Sequence, residues 1–138
     1  MKRTFIAAGL AVVLSACGSS DKNDKTTGNP FLTEFTTPFG VPPFDKITLA
    51  DYKPAFLQGM EEQKREIEAI VNQRSIPDFE NTIAALDQSG KLLKRVSTVF
   101  YGQNSVNTND EMQALSRELS PLLSKHGDDI SLNPALFA

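Results

Sequence analysis

The sequence predicts an all-α fold, antiparallel helices preceded by a signal peptide and an extended Pro/Phe-rich arm. Two observations carry this reading. Three stretches repeat large apolar residues at the three-and-four spacing of a helix face, and each is bounded by capping residues or by Pro and Gly breaks. Ahead of them the chain has an apolar N-terminal run, a polar run and a proline-rich run, none of which has helical periodicity.

The N-terminus reads as a targeting segment. Lys2 and Arg3 form a positive start, Phe5 to Leu14 an apolar run too short to cross a bilayer, and Ser15 and Ala16 a small-residue cleavage site. Residues 1–16 are therefore expected to be a signal peptide. Leu14-Ser15-Ala16-Cys17 also resembles the bacterial lipobox, in which the cysteine is acylated after cleavage. Cys17 is the only cysteine, so it has no internal disulfide partner. Stable anchoring needs more than one acyl chain, a requirement that a triacylated cysteine meets. Gly18 follows, where Asp would signal retention in the inner membrane. That resembles outer-membrane sorting, so the expected location is the outer membrane, facing the periplasm. Residues 17–29, small, polar and charged, read as a lipidated, disordered tether.

Residues 30–47, "PFLTEFTTPFGVPPFDKI", hold four prolines and four phenylalanines. Each proline pushes the residue before it toward extended geometry. The expected structure is an extended arm whose Phe31, Phe35, Phe39 and Phe44 dock on an apolar surface. A loose linker is the alternative for its first half.

The first helix is expected at about 49–73. Thr48 and Asp51 form a weak capping box, and Tyr52, Phe56, Met60, Ile67 and Ile70 mark the buried face. Pro54 implies either a start near Lys53 or a bend. Charges in "EEQKREIE", residues 61–68, alternate in sign, which predicts a solvated face rather than an acid–base pair. Pro77 and Asp78 end this helix and start the second, at about 79–101, with Ile83, Leu86, Leu93, Val96 and Phe100 inward. Ser89-Gly90 is expected to be either a bend or a close helix–helix approach. Residues 102–110 read as a turn. Thr108 with Glu111 then caps a third helix at about 109–130, with Met112, Leu115, Leu119, Leu122 and His126 on a narrow seam and a kink at Pro121. Asn133-Pro134 reads as the start of a fourth helix, which predicts that the domain continues beyond Ala138.

Several function classes are excluded by composition. Beyond Cys17, removing Lys2 and Arg3 from the 14 basic residues leaves 12 against 17 acidic ones, a balance of −5. No basic stripe exists, which argues against nucleic acid as a partner. His126 is the only histidine and sits on a predicted apolar seam, so no serine has an evident base. A zinc site needs three or four N, S or O ligands, which one histidine and scattered carboxylates do not supply. No glycine-rich phosphate loop appears. No catalytic and no metal-ligating residue is assigned in the chain; the one assigned site is lipidation at Cys17.

A resemblance adds to this reading. "NPF" at 29–31, "PPFDKI" at 42–47, "DYKPAFLQGM" at 51–60, "FENTIAALDQSGKLLKRVSTVF" at 79–100, "NTND" at 107–110 and "LNPALF" at 132–137 resemble, in order and spacing, the N-terminal region of bacterial peptidyl-dipeptidases. These dipeptidyl carboxypeptidases belong to the thimet oligopeptidase and oligopeptidase A family of zinc metallopeptidases. The "SGKLLKRVSTVF" segment is more similar to the dipeptidase branch. The resemblance implies that residues 30–138 are the N-terminal part of a larger helical metallopeptidase with a deep central channel. It implies zinc in the full-length enzyme, held by an HExxH helix toward the C-terminus that this chain lacks, and removal of C-terminal dipeptides from oligopeptides. The chain alone is expected to bind no zinc and to be inactive; its expected partners are oligopeptides, through the whole enzyme, and the lipid membrane. A stand-alone helical lipoprotein that binds peptides or a protein is the alternative, and a purely structural lipoprotein a third.

Overall fold

The computed structural model describes residues 28–137, whose regular elements are all helices, with no strand among them. The expected signal peptide, Cys17 and nearly all of the expected tether lie outside the described residues. The main elements are α1 (Leu49–Val71), a short α2 (Ala85–Gln88) entered through a π-helical stretch at Phe79–Ala84, α3 (Lys91–Val106) and α4 (Asp110–Ser131). None of these helices is long and apolar enough to cross a membrane.

The arm is not simply extended. It carries two single-turn 3-10 helices, Pro30–Leu32 and Pro38–Gly40, each opened by a proline whose fixed φ suits a first helical position. Nor do all four phenylalanines dock. Phe31 is fully buried and Phe35 leans on it at 6.1 Å between ring centroids, whereas Phe39 is fully exposed and Phe44 half exposed. The cause is the second turn. Phe39 and Gly40 both take left-handed φ, 60° and 66°, and the Phe39 ring stands in solvent. Positive φ is uncommon for an aromatic residue.

Thr48 caps α1, donating from its backbone N and its hydroxyl to the Asp51 carboxylate, both at 2.7 Å. That cap starts the helix at Leu49, so the start near Lys53 is not adopted. Pro54 lies inside α1, where it forgoes the hydrogen bond to the carbonyl of Ala50.

The expected single helix over 79–101 is instead three pieces. Asp78 and Asn81 cap each other across the first turn, with Asn81 N donating to Asp78 Oδ1 at 2.7 Å and Asp78 N to Asn81 Oδ1 at 2.9 Å. Ile83 stands exposed rather than inward. Gly90 breaks the run with φ 68° and becomes the N-cap of α3, its own N–H donating to Glu66 Oε2 at 2.7 Å. The expected turn at 102–110 shrinks to 107–109. Once Leu92, Val96, Val99 and Phe100 are buried, polar residues on the exposed side continue the helix as far as Val106.

The cap of α4 lies one residue later than expected. Asn109 Oδ1 accepts from Met112 N at 2.8 Å, while the Thr108 hydroxyl donates to Asn104 Oδ1. α4 runs through Pro121 to Ser131. Its seam passes through Leu123, which packs on the core, rather than Leu122, which is exposed. Beyond it, Asn133 caps only a turn: its Oδ1 accepts from Ala135 N at 3.0 Å and its carbonyl from Leu136 N at 3.1 Å, so the helix expected to start at Asn133-Pro134 is not formed among the described residues.

Contacts fix the helix directions. Phe56 meets Phe100, Gly59 meets Leu93 and Glu66 meets Gly90, so α1 and α3 are antiparallel. Lys53 pairs with Glu118 and Gln63 with His126, so α4 lies parallel to α1. The core sits where α1, α3 and the arm converge. Phe31, Tyr52, Phe100 and Phe56 form a chain of rings with centroids 5.1–5.5 Å apart, closed from the α4 side by Met112 and Leu119.

Candidate functional site

The chemistry-bearing residues sit apart from one another. His126 lies half-buried on α4, its Nε2 2.8 Å from Gln63 Oε1. Gln63 in turn donates from Nε2 to Ser89 Oγ at 3.2 Å, and Ser89 donates to the Leu86 carbonyl at 2.8 Å. Gln63 thus presents its oxygen to the imidazole, which makes His126 Nε2 the donor and leaves Nδ1 as the basic nitrogen. Burial pulls the imidazole below its usual pKa, and Asp129 nearby partly offsets that. Asp129 is itself held by Lys125 at 2.6 Å in an exposed i,i+4 pair.

This arrangement does not fit zinc. The metal takes three or four N, S or O ligands at about 2.0–2.3 Å. Among the described residues no group of three His, Cys, Asp or Glu side chains converges. The His126 imidazole faces a glutamine amide, and Asp129, whose charge acts on it, pairs with Lys125. Ser89 has no base beside it; its hydroxyl accepts from the Gln63 amide of α1 and donates to the Leu86 carbonyl. The network joins α1, the α2–α3 corner and α4, and its role is structural. The charge run at 61–68 is largely solvated, except that Glu66 reaches the α3 N-terminus, where the helix dipole favours an anion.

Two other features can engage something outside the bundle. The first is an open apolar groove between the parallel helices α1 and α4, lined by Leu49, Pro54, Leu57, Ala114 and Leu115 and crossed by the Lys53–Glu118 ion pair. The second is the docked start of the arm. Asn29 is buried, accepts from Phe31 N at 3.0 Å through Oδ1 and donates from Nδ2 to the Asp51 carbonyl at 2.7 Å. Arg95 Nη2 donates to the Phe31 carbonyl at 2.7 Å, and its guanidinium lies 5.4 Å from the Phe35 ring centroid.

Asn29, Gln63, Glu66 and Arg95 carry these contacts, and none stands out in the sequence. One signal was available: Asn29-Pro30 repeats the cap-plus-proline pattern of Asn133-Pro134. Gln63, Glu66 and Arg95 act on residues 24 to 64 positions away, and no local pattern points to such pairs.

No family model matches the chain. It is 48% identical over 113 residues to Dipeptidyl carboxypeptidase of Escherichia coli (strain K12), a match over 82% of this chain and 17% of that protein. It is 47% identical over 110 residues to Dipeptidyl carboxypeptidase of Salmonella typhimurium (strain LT2), covering 80% of this chain and 16% of that protein. Oligopeptidase A of Escherichia coli (strain K12) is 28% identical over 109 residues, 79% of this chain and 15% of that protein. The chain thus spans 15–17% of the length of the curated relatives it matches.

Proposed function

We propose, from a chain homologous to part of dipeptidyl carboxypeptidase and more distantly of oligopeptidase A, and so belonging to the thimet oligopeptidase family, that these helices are the N-terminal section of a lipid-anchored metallopeptidase. In full-length form the enzyme removes C-terminal dipeptides from oligopeptides. One observation carries the reading: 48% identity over 113 residues. The surface is consistent with it. Among the described residues twelve large hydrophobic side chains are exposed against eleven buried apolar ones, and a bundle so built gains stability when a larger body covers it.

The chemistry belongs to residues outside this chain. Zinc, when bound by the whole enzyme, would activate a water for attack on the peptide bond. This chain's own residues do none of that work. They supply wall: Tyr52, Phe56 and Phe100 hold α1 against α3, and α4 closes one side.

The test compares two proteins. The 138-residue chain is purified alone, and the longer product is made from any open frame that continues it. With zinc, the longer product should release dipeptides from an N-terminally blocked peptide, while the short chain releases none and binds no zinc stoichiometrically. Dipeptide release by the short chain, or a longer product without HExxH, would sink the proposal. Lipid anchoring is tested separately by Cys17→Ser, which should move the protein from the membrane to the soluble fraction; retention would count against it.

The apolar α1–α4 groove supports a second reading, a stand-alone lipoprotein that binds peptides. Saturable binding of an oligopeptide by the short chain, lost on Leu57→Asp, would favour it.

A further inference from the structure

We propose that the cavity where α1 and α4 begin and α3 ends binds a primary ammonium group on a short aliphatic stem, through Tyr52, Glu111 and the side-chain amides of Gln103 and Asn107. The cavity holds about 310 Å³.

Tyr52 is the first observation. Its ring is packed between Phe31 and Phe100, and only 5% of the residue is exposed. Yet its hydroxyl is neither sealed in nor hydrogen-bonded by any group among the described residues. A polar group in so buried a side chain is costly unless water or a ligand meets it. The hydroxyl end opens on the cavity that Tyr52 lines. Burial, and then the Asp51 charge, push the phenol above its usual pKa, so its oxygen stays neutral and can accept as well as donate. The side chains of Gln103, Asn107 and Glu111 line the same cavity and likewise have no hydrogen-bond or ion-pair partner among the described residues.

Charge decides the class of ligand. Glu111 is the one charged side chain on the lining, and no Lys, Arg or His joins it there. The two helix N-termini at the rim do not call for an anion, because Asp51 and Asn109 already cap them. An ammonium brings one positive charge and three donors, with no acceptor. It meets three acceptors here: the Glu111 carboxylate, the Tyr52 oxygen and an amide carbonyl of Gln103 or Asn107. A guanidinium, with more donors in a fixed fork, would leave some of them unmet. Ile47 and Met112 supply apolar surface for the methylenes of the stem.

The experiment titrates the 138-residue chain, carrying carbon-13 methyl-labelled methionine, with n-butylammonium chloride. Met112 lines the cavity, and Met60 on α1 lies outside it and serves as internal reference. The Met112 methyl resonance should shift saturably, with a dissociation constant of about 1–10 mM, while Met60 stays put. Butanol lacks the charge and butanoate reverses it, so both should bind about tenfold more weakly or not at all. Glu111→Gln and Tyr52→Phe should each weaken binding about fivefold. Glu111 is exposed, so Glu111→Gln decides the matter if Tyr52→Phe disturbs the core. N-acetyl-lysine methylamide and leucinamide distinguish a lysine side chain from a peptide amino terminus as the source of the ammonium. No saturation by about 100 mM butylammonium overturns the site. So does equal binding of butanol or glycerol, or undiminished binding in Glu111→Gln.

Discussion

Gly59 shows how much one missing side chain decides. A Cβ there would lie 2.8 Å from Leu93 N and 2.9 Å from Leu93 Cα, both backbone atoms that cannot step aside. The close approach of α1 and α3 therefore depends on Gly59, and Gly59→Ala should destabilise the chain by about 1–3 kcal/mol, read as a lower urea midpoint. His126 makes a second case. Its folded pKa is lowered, first by burial, so the unfolded chain takes up the proton first as pH falls. Stability is complete above about pH 6.5 and declines below it, until the folded imidazole also protonates. His126→Gln keeps a donor for Gln63 and should flatten the stability–pH curve just below about pH 6.5, measured by urea unfolding at each pH. An unchanged slope would mean that other groups set it.

Elements here are bounded by side-chain caps more than by propensity. Asn109, not Thr108, satisfies the first turn of α4, so Asn109→Ala should cost about 0.5–2 kcal/mol and Thr108→Ala markedly less. Thermal melts of the two variants side by side give the order; a reversed order would return the cap to Thr108. The helix break at Gly90 has a different origin. Its left-handed φ puts the absent Cβ 2.5 Å from Gln63 Cδ, so the corner closes over a side chain of α1. A capping pattern such as Thr48…Asp51 is legible because both partners lie within one turn. Gly90 could be recognised as an interruption, but whether it bends the chain or admits a neighbour depended on Gln63 and Glu66, more than twenty residues earlier.

The whole molecule is unevenly held. Its aromatic core ties the arm to α1 and α3, while the stretch from Ile76 through Ile83 and the tip at Phe39–Val41 leave their large apolar groups in solvent. Hydrogen exchange should be slowest for amides of α1 and α3 around Phe56 and Phe100, and fastest among the large elements in the π-helical stretch Phe79–Ala84. Equal protection in all of them would mean that the bundle opens as one unit. The tightest part of the core lies where Phe31 of the arm docks between Phe35 and Tyr52.

The amino-acid order by itself determined that the described residues form helices and no strand, where α1 and α4 lie to within two residues, and which family the chain resembles. Those properties are written in spacing and in caps, which act over one or two turns. Only the tertiary structure decided that α1 and α4 run parallel, that Gly59 admits the backbone of α3 while Gly90 both bends the chain and admits Gln63, and that Arg95 and Asn29 fasten the arm. Each of these depends on a contact between groups far apart in the chain, and the free energy that selects such a contact comes from packing and desolvation, which leave no periodic mark on the sequence.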